Sequence, residues 1–278
     1  PLTRSKARRA LEDFGADIAI AWMSRAAFHA PRGRWTLVGR LGGYYPLKYF
    51  QRCDHLVGNT RDIARWIIGQ GWPRERVHYL PNFVADFADA APASRAALGV
   101  PEDAPLILAL GRLHPVKGFD MLIRAAALMP GVHVVIAGEG PERAALVALI
   151  ARLGLDGRVH LPGWRSDTGA LLRAADVFVS SSTHEPLGNM ILEAFSAGVP
   201  VVAAAAEGPR EIIRDSTDGL LVPLDDEAAL AGVILALLAD SGRAASLAAA
   251  GRARYEAEFS ERVVTRVWLD LLAGLKPG

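Results

Sequence analysis

The strongest constraint on this chain is a repeating pattern that begins near residue 106. Short apolar runs alternate there with longer stretches in which apolar residues recur at helical spacing. Strands that are apolar on both faces must be covered on both, which is typical of parallel sheets between helices. The pattern therefore predicts a doubly wound α/β domain. The predicted strands are 106–110, 132–137, 158–161, 176–180, 199–204 and 219–222. The predicted helices are 119–128, 142–153, 168–174, 187–197, 209–214, 225–239, 243–258 and 262–272.

The first 85 residues show a shorter version of the same pattern. Strands are predicted at 17–22, 36–39, 55–58 and 77–80, and a helix at 60–69 that Asn59 or Thr60 would cap. A stretch rich in Ala, Asp and Pro follows, so we expect a domain boundary there. The predicted units are 1–85, 86–258 and a last helix within 259–278. Because a doubly wound domain needs about 100–150 residues, we expect the N-terminal domain to be incomplete, lacking its first units.

The net charge and the cysteine content argue against several classes of partner and site. The net charge is +1, which provides no overall field to attract nucleic acid, so we expect no such partner. The single cysteine, Cys53, allows neither an internal disulfide nor a zinc site of cysteines. No apolar run approaches the ~18 residues of a membrane span. These features favour a cytoplasmic protein.

Loops at the carboxyl ends of the strands are the expected ligand sites of such a sheet. The loop after strand 106–110 begins with Gly111 and carries Arg112 and Lys117. Two cations and the positive end of a helix dipole would suit a diphosphate. A solvated basic loop is an equally good interpretation of this segment alone.

The segment from Glu185 to Glu193 is the most informative. Pro186 suits a first helical turn, in which Gly188 and Asn189 would present unpaired N–H groups. Glu193 would lie one turn further on the same face as Asn189. The two carboxylates could accept hydrogen bonds from sugar hydroxyls. The alternative is that Glu185 complements the dipole and Glu193 pairs with a surface arginine; both carboxylates at this edge favour a ligand.

Three other loops are less specific. Gly138 and Gly140 would permit close backbone approach to a ligand, but the third glycine of a dinucleotide-binding fingerprint is absent. Trp164 would flank a base, or belong to the core or surface. The segment 205–211 resembles a further ligand-facing turn.

In this order, the 111–118, 138–141 and 185–193 motifs resemble those of glycosyltransferase family 4. The resemblance covers residues 106–262 closely, and 79–84 is similar to the family's connector between domains. It implies retaining enzymes of the GT-B fold, with two Rossmann-like domains and a last helix that returns to the N-terminal one. The implied substrates are a nucleotide sugar, such as a UDP- or GDP-sugar, and a glycan or lipid-linked acceptor.

The resemblance also implies residue roles. Arg112 and Lys117 would bind the diphosphate, and Glu185 would contact hydroxyls of the transferred sugar; these three form the predicted catalytic set. Glu193 would hold the ribose. The other predicted positions of the nucleotide-sugar site are Gly111, Gly138, Gly140, Leu161, Pro162, Gly188, Asn189 and Met190, where Leu161 and Pro162 would meet the base through their backbone.

The implied mechanism places cations where charge develops on the departing diphosphate. It needs no covalent protein nucleophile, and with no Asp-x-Asp motif we predict neither a metal nor a cofactor. On the acceptor side, the loop 23–25 follows a strand in a region where relatives carry functional residues. Arg25 and His29 are candidates there; a surface arginine and a solvated histidine are the alternatives.

Two other functions are compatible with the sequence. A GT-B sugar-nucleotide epimerase would need acid and base groups that the sequence does not identify. A non-catalytic nucleotide-sugar-binding module would need only the second domain. Analogy with the family suggests lipopolysaccharide or another bacterial surface glycan as acceptor. The basic stretch 4–9 and the aromatic residues Tyr44, Tyr45, Tyr49 and Phe50 suit peripheral contact with the inner face of a membrane, or else a core and a solvated face.

Overall fold

The computed structural model describes residues 2–275. The chain divides into two compact units, residues 1–83 with 261–278, and residues 84–260. We call them the first and second unit. The boundaries expected from sequence lie two residues away at each junction.

The first unit contains a four-stranded parallel sheet in sequential order, β1-β2-β3-β4. Its strands are β1 Ile18–Trp22, β2 Thr36–Leu41, β3 His55–Gly58 and β4 Val77–Tyr79. Its helices are α1 Leu2–Phe14, α2 Met23–His29, α3 Arg61–Gly69 and, in the C-terminal segment, the last helix Glu261–Gly274. All six residues of β2 are buried, as expected for an inner strand.

Helix α3 shows how sequence fixes local structure in this unit. The Thr60 hydroxyl accepts a hydrogen bond of 3.0 Å from the N–H of Ile63, as its predicted capping role requires. Ile63 and Ile67, one turn apart, are fully buried against the sheet. Cap and apolar stripe together place the start of α3 at the carboxyl end of β3.

Residues Met23–His29 form a helix, so the prediction of a loop at 23–25 was wrong. The chain passes directly from β1 into α2, and Met23 takes a positive φ of 67° at the junction. Arg25 and His29 therefore lie one turn apart on α2, where both are exposed.

The second unit contains six parallel strands in the order β10-β9-β8-β5-β6-β7. They are β5 Leu106–Leu110, β6 His133–Ala137, β7 Val159–His160, β8 Val177–Ser180, β9 Val201–Ala204 and β10 Leu220–Val222. Apolar clusters cover both faces of this sheet. The predicted doubly wound α/β class is confirmed.

The helices of this unit follow the strands in alternation. They are α4 Phe119–Ala127, α5 Arg143–Arg152, α6 Thr168–Ala174, α7 Asn189–Ser196, α8 Glu207–Ile212, α9 Glu227–Ala239 and α10 Ser241–Arg254; the last helix is therefore α11. A single π turn, Tyr255–Phe259, follows α10. The Tyr255 hydroxyl donates a 3.1 Å hydrogen bond to the Val84 carbonyl, which ties the end of this unit to its beginning.

Strand order decides where a ligand can bind. Strands β5 and β8 are neighbours, and the chain winds outward from them in opposite directions. This is the switch point at which the loops after two adjacent strands diverge and leave a crevice. The segments 111–118 and 181–193 leave from β5 and β8, so the fold brings the two most informative sequence motifs to one edge.

Among residues 2–275, no helix taken singly is long and apolar enough to cross a bilayer. Two successive segments, Glu227–Ala239 and Ser241–Phe259, reach the required length and composition only together, and they meet at an angle of 102°.

Candidate functional site

A cavity of about 490 Å³ opens at the carboxyl edge of the second unit's sheet. Its volume is in the range of small-molecule sites. Four of the residues predicted from sequence contribute to its wall, Gly111, Arg112, Gly138 and Met190. The other wall residues are Leu110, Ala137, Glu139, Trp164, Arg165 and Thr168.

The glycines of this edge serve to pack loops against each other. A Cβ on Gly138 would lie 1.8 Å from the Gly111 carbonyl oxygen, and one on Gly140 would lie 2.2 Å from that of Leu113. The loops are joined by hydrogen bonds from Gly111 N–H to the Ala137 carbonyl, 3.1 Å, and from Gly138 N–H to the Gly163 carbonyl, 2.8 Å. The glycines are therefore required by an approach between backbones, which shapes the cavity wall. The predicted approach of a ligand to them stays a prediction.

Lys117 and Glu185, predicted to act on different parts of a ligand, form an ion pair between Nζ and Oε2. Their side chains are only 23% and 17% exposed. An ammonium has three N–H donors, so a single carboxylate oxygen leaves capacity for phosphate oxygens. The pair holds the cation in one place at the switch point.

Backbone contacts position this pair. Lys117 ends a 3-10 turn, Pro115–Lys117, and Gly118 caps α4 with a φ of 59°. A Cβ on Gly118 would lie 2.2 Å from the Ser181 carbonyl oxygen. The Thr183 N–H donates to the Val116 carbonyl at 2.9 Å. Lys117 therefore lies before the helix rather than in its first turn, pressed against the loop that carries Glu185.

Helix α7 begins later than predicted. It starts at Asn189, because Gly188 has a φ of 98° and acts as its cap; Pro186 lies outside the helix. Glu193 lies one turn into α7, as predicted, but no salt bridge to it is formed within residues 2–275. The alternative of a surface arginine partner was therefore wrong. Burial raises the pKa of the Glu193 carboxyl to about 7.

The raised pKa of Glu193 gives a testable dependence on pH. The pKa of this carboxyl is about 7 in the folded protein, against its ordinary value of 4.5 in the unfolded chain. Between these two pH values the folded protein therefore binds more protons than the unfolded chain, so the free energy of unfolding falls as the pH rises. Glu193→Gln cannot ionise. We expect its melting temperature, relative to that of the wild type, to be higher at pH 8 than at pH 4.5.

Thermal unfolding of both proteins across this pH range measures the difference. Glu102→Gln, the same substitution at an exposed position, is the matched control. A Glu193→Gln effect that is the same at pH 4.5 and 8 would contradict the assignment.

No role was predicted for two polar groups at this edge, although one of them, Glu207, lies in the segment 205–211. Glu207, at the start of α8, accepts from His184 Nδ1 at 3.1 Å and from the Glu185 N–H at 3.4 Å. Arg165 lines the cavity and is held by Asp167 through two bonds of 2.8 and 2.6 Å. An acidic residue at a helix start was a visible signal for Glu207; nothing local marked Arg165.

The predicted base contacts stay predictions. Leu161 and Pro162 are not among the cavity's wall residues, and the Leu161 carbonyl accepts a 2.9 Å hydrogen bond from Arg143 Nη2. Trp164 does line the cavity and is 72% exposed. A large aromatic ring left in solvent beside a cavity is available to stack on a flat ligand.

No group of three or more His, Cys, Asp or Glu side chains arranged to hold a metal occurs in the part of the chain that the structure describes. The prediction that the reaction needs no metal is not tested by this observation. The acceptor-side candidates Arg25 and His29 belong to the first unit and also stay predictions.

The chain is similar to known proteins over most of its length. Residues 91–254 match the family model "Glycosyl transferases group 1". The lipopolysaccharide core biosynthesis glycosyltransferases LpsE and LpsD of Rhizobium meliloti are 40% and 36% identical to this chain, over 92% and 97% of it and 76% and 79% of their own length.

Among solved structures, Anabaena HepE in complex with UDP-glucose superposes with a TM-score of 0.80 at 26% identity, over 91% of this chain and 75% of that one. Its likeness extends to both parallel-sheet units, the architecture of GT-B glycosyltransferases. Family match, curated relatives and fold lead to one conclusion: this chain belongs to the group 1 glycosyltransferases.

Proposed function

We propose that this protein is a retaining glycosyltransferase of family 4 that moves a sugar from a nucleotide sugar to a glycan or lipid-linked acceptor. The observation that carries the proposal is the Lys117–Glu185 ion pair at the switch point of a doubly wound sheet. The two residues are 68 positions apart in the chain. Their contact brings together a cation that can bind a diphosphate and a carboxylate that can bind sugar hydroxyls.

The arrangement fits the charge changes of glycosyl transfer. When the bond between sugar and phosphate breaks, negative charge grows on the departing diphosphate. A cation held in place before the reaction stabilises that charge without reorganising. Lys117 is such a cation, and the exposed Arg112 in the cavity wall adds a second positive charge.

Retention is proposed to proceed without a covalent enzyme intermediate. The Lys117 ammonium occupies part of the lone-pair capacity of the Glu185 carboxylate. We assign Glu185 to binding hydroxyls of the transferred sugar, whereas retaining glycoside hydrolases use one of two carboxylates about 5 Å apart as nucleophile. The departing phosphate would take the proton of the acceptor hydroxyl.

The substrates are proposed by analogy. HepE binds UDP-glucose, which supports a UDP-sugar as donor, with a GDP-sugar as the alternative. LpsE and LpsD act in lipopolysaccharide core biosynthesis, which supports a lipopolysaccharide core or a related surface glycan as acceptor. Such a reaction is proposed to occur in the cytoplasm, with peripheral contact at the inner face of the membrane.

Binding of the nucleotide sugar can be tested by thermal unfolding. A ligand at 100 times its Kd stabilises the native state by about 2.7 kcal/mol, which corresponds to a rise in Tm of roughly 5–10 °C for a domain of this size. We expect UDP, or else GDP, and the matching nucleotide sugar to produce such a rise at millimolar concentration. No shift with any UDP- or GDP-sugar would refute the site.

Analysis of the reaction products distinguishes a glycosyltransferase from an epimerase and from a non-catalytic binding module. Proton NMR of the reaction with a lipopolysaccharide core acceptor should show a new glycosidic linkage with the anomeric configuration of the donor. Inversion would contradict the retaining mechanism. Conversion of the nucleotide sugar to its epimer would identify an epimerase, and binding without turnover a binding module.

A further inference from the structure

The overall net charge of +1 is the sum of two large and opposite charges, one on each unit. The first unit has 17 Lys and Arg against 8 Asp and Glu, a net charge of +9. The second unit has 14 against 22, a net charge of −8. The unit that does not carry the proposed nucleotide-sugar motifs is therefore the one suited to an anionic ligand.

Arg40 is a buried cation of the first unit. It lies at the carboxyl end of β2 and is 5% exposed, yet it has no acidic partner within residues 2–275. Nη2 donates to Asn82 Oδ1, the guanidinium lies 4.4 Å from the Trp22 ring centroid, and Nε has no hydrogen-bond partner. Burying an arginine without a carboxylate is costly, and burial lowers its pKa.

A second buried polar side chain points to the same place. Asn59 follows β3, is 4% exposed, and its Oδ1 atom has no hydrogen-bond partner. A Cβ built on Gly42, which follows β2, would lie 3.6 Å from Asn59 Nδ2 and 4.0 Å from Arg40 Nη1. Two N–H-bearing groups thus converge on the space above one glycine.

The place of Arg40, Asn59 and Gly42 in the sheet and the backbone conformation of Met23 are both consistent with a ligand site. The convergence point lies at the carboxyl edge of a parallel sheet, where ligands bind in such folds. Met23 Sδ lies 3.5 Å from the same point, and Met23 holds a positive φ that is unfavourable for a side-chain-bearing residue. Because Trp22 covers one face of the guanidinium, an anion would approach from the side of Gly42.

We infer that Arg40, Asn59 and Gly42 form an oxyanion subsite that binds an acidic group of the acceptor. Arg40 and the Asn59 amide would donate to a phosphate or carboxylate oxygen, and Asn59 Oδ1 would accept from a neighbouring sugar hydroxyl. The ligand class is therefore a phosphorylated or carboxylate-bearing sugar. The assignment to the acceptor rests on the proposed function; the oxyanion site itself does not.

Two variants test the subsite in different ways. Arg40→Gln removes the charge and keeps a group that can bond to Asn82. Gly42→Ala removes no charge; its methyl group meets its neighbours at ordinary contact distances of 3.5 Å or more, so the fold should be retained while the space is filled. The controls in the same unit are Gly69→Ala, where nothing lies within 4 Å, and Arg9→Gln, whose side chain is 85% exposed.

The probes are inorganic phosphate and acetate, titrated by calorimetry at constant ionic strength, with saturating UDP present to occupy the nucleotide-sugar site. A charge-assisted hydrogen bond contributes enough that its loss weakens binding about 10- to 100-fold. We expect such a loss for phosphate in Arg40→Gln and in Gly42→Ala, and wild-type affinity in both controls. Stronger binding of acetate than of phosphate in the wild type would identify a carboxylate as the natural group.

Equal phosphate affinity in the wild type and in the folded Gly42→Ala variant would overturn the subsite. In kinetic assays, both variants should raise KM for an acidic acceptor at least tenfold and leave KM for the nucleotide sugar unchanged; the reverse pattern would overturn the assignment to the acceptor. UDP binding by the wild type reports separately on the proposed function, since its failure would leave the phosphate result standing.

Discussion

Replacing Lys117 by methionine is expected to lower kcat for sugar transfer by about 100- to 1000-fold, the cost of removing one preorganised group that stabilises an oxyanion. Methionine keeps the length and apolar stem of the side chain while it removes the charge. The loss should be large because Lys117 is held by Glu185 at the switch point. Without it, the half-buried Glu185 carboxylate would also repel the diphosphate. Steady-state kinetics with a fixed acceptor give the measurement.

A double variant separates these two causes. If repulsion by the unpaired carboxylate contributes, Lys117→Met with Glu185→Gln should bind UDP more tightly than Lys117→Met alone, while kcat stays low. Arg152→Gln, at an exposed position at the end of α5, controls for loss of a cation elsewhere in the unit. A Lys117→Met enzyme with kcat within threefold of the wild type would remove Lys117 from the proposed catalytic set.

Replacing Gly138 by alanine is expected to destabilise the second unit by about 3 kcal/mol or more, at the upper end of what overpacking costs. The added methyl group would lie 1.8 Å from the Gly111 carbonyl oxygen. Backbone cannot move aside as a flexible side chain can, so the loops after β5 and β6 must separate. Thermal unfolding should show a Tm lower by roughly 6–12 °C, and affinity for UDP should fall because both loops line the cavity.

Gly157→Ala is the matched control in the same unit. Nothing lies within 4 Å of a Cβ at Gly157, so its Tm should stay within about 2 °C of the wild type, the usual range for surface changes. If Gly138→Ala is as stable as Gly157→Ala, the contact between the two loops does not restrict position 138 to glycine.

Much of the site's location followed from local sequence. Apolar runs such as Leu106–Leu110 are buried on both faces, and no arrangement but a covered parallel sheet satisfies several of them at once. Once the strands are fixed, each following loop must lie at the carboxyl edge. Arg112 and Gly138 could therefore be assigned to this edge from the sequence pattern, whereas Met190 was assigned through the family resemblance.

Contacts between distant segments could not be predicted in the same way. Glu207 holds the Glu185 N–H and Gly208 donates to the Glu185 carbonyl at 2.7 Å, yet the spacing of these residues carries no sign of the contact. Gly138 is a second example, because its contact with the Gly111 carbonyl was not predicted. A glycine signals that something approaches closely, and the sequence does not say whether that is a ligand or another loop.

By itself, the sequence determined which segments are strands, which loops share an edge and which residue types can bind a sugar diphosphate, because these depend on apolar periodicity and side-chain chemistry. The tertiary structure alone decided that Lys117 pairs with Glu185, that the half-buried Glu193 has a raised pKa, and that Arg40 and Asn59 converge above Gly42. Burial and distance arise only when segments far apart in the chain pack together, and it is burial and distance that turn a charged side chain into a binding group.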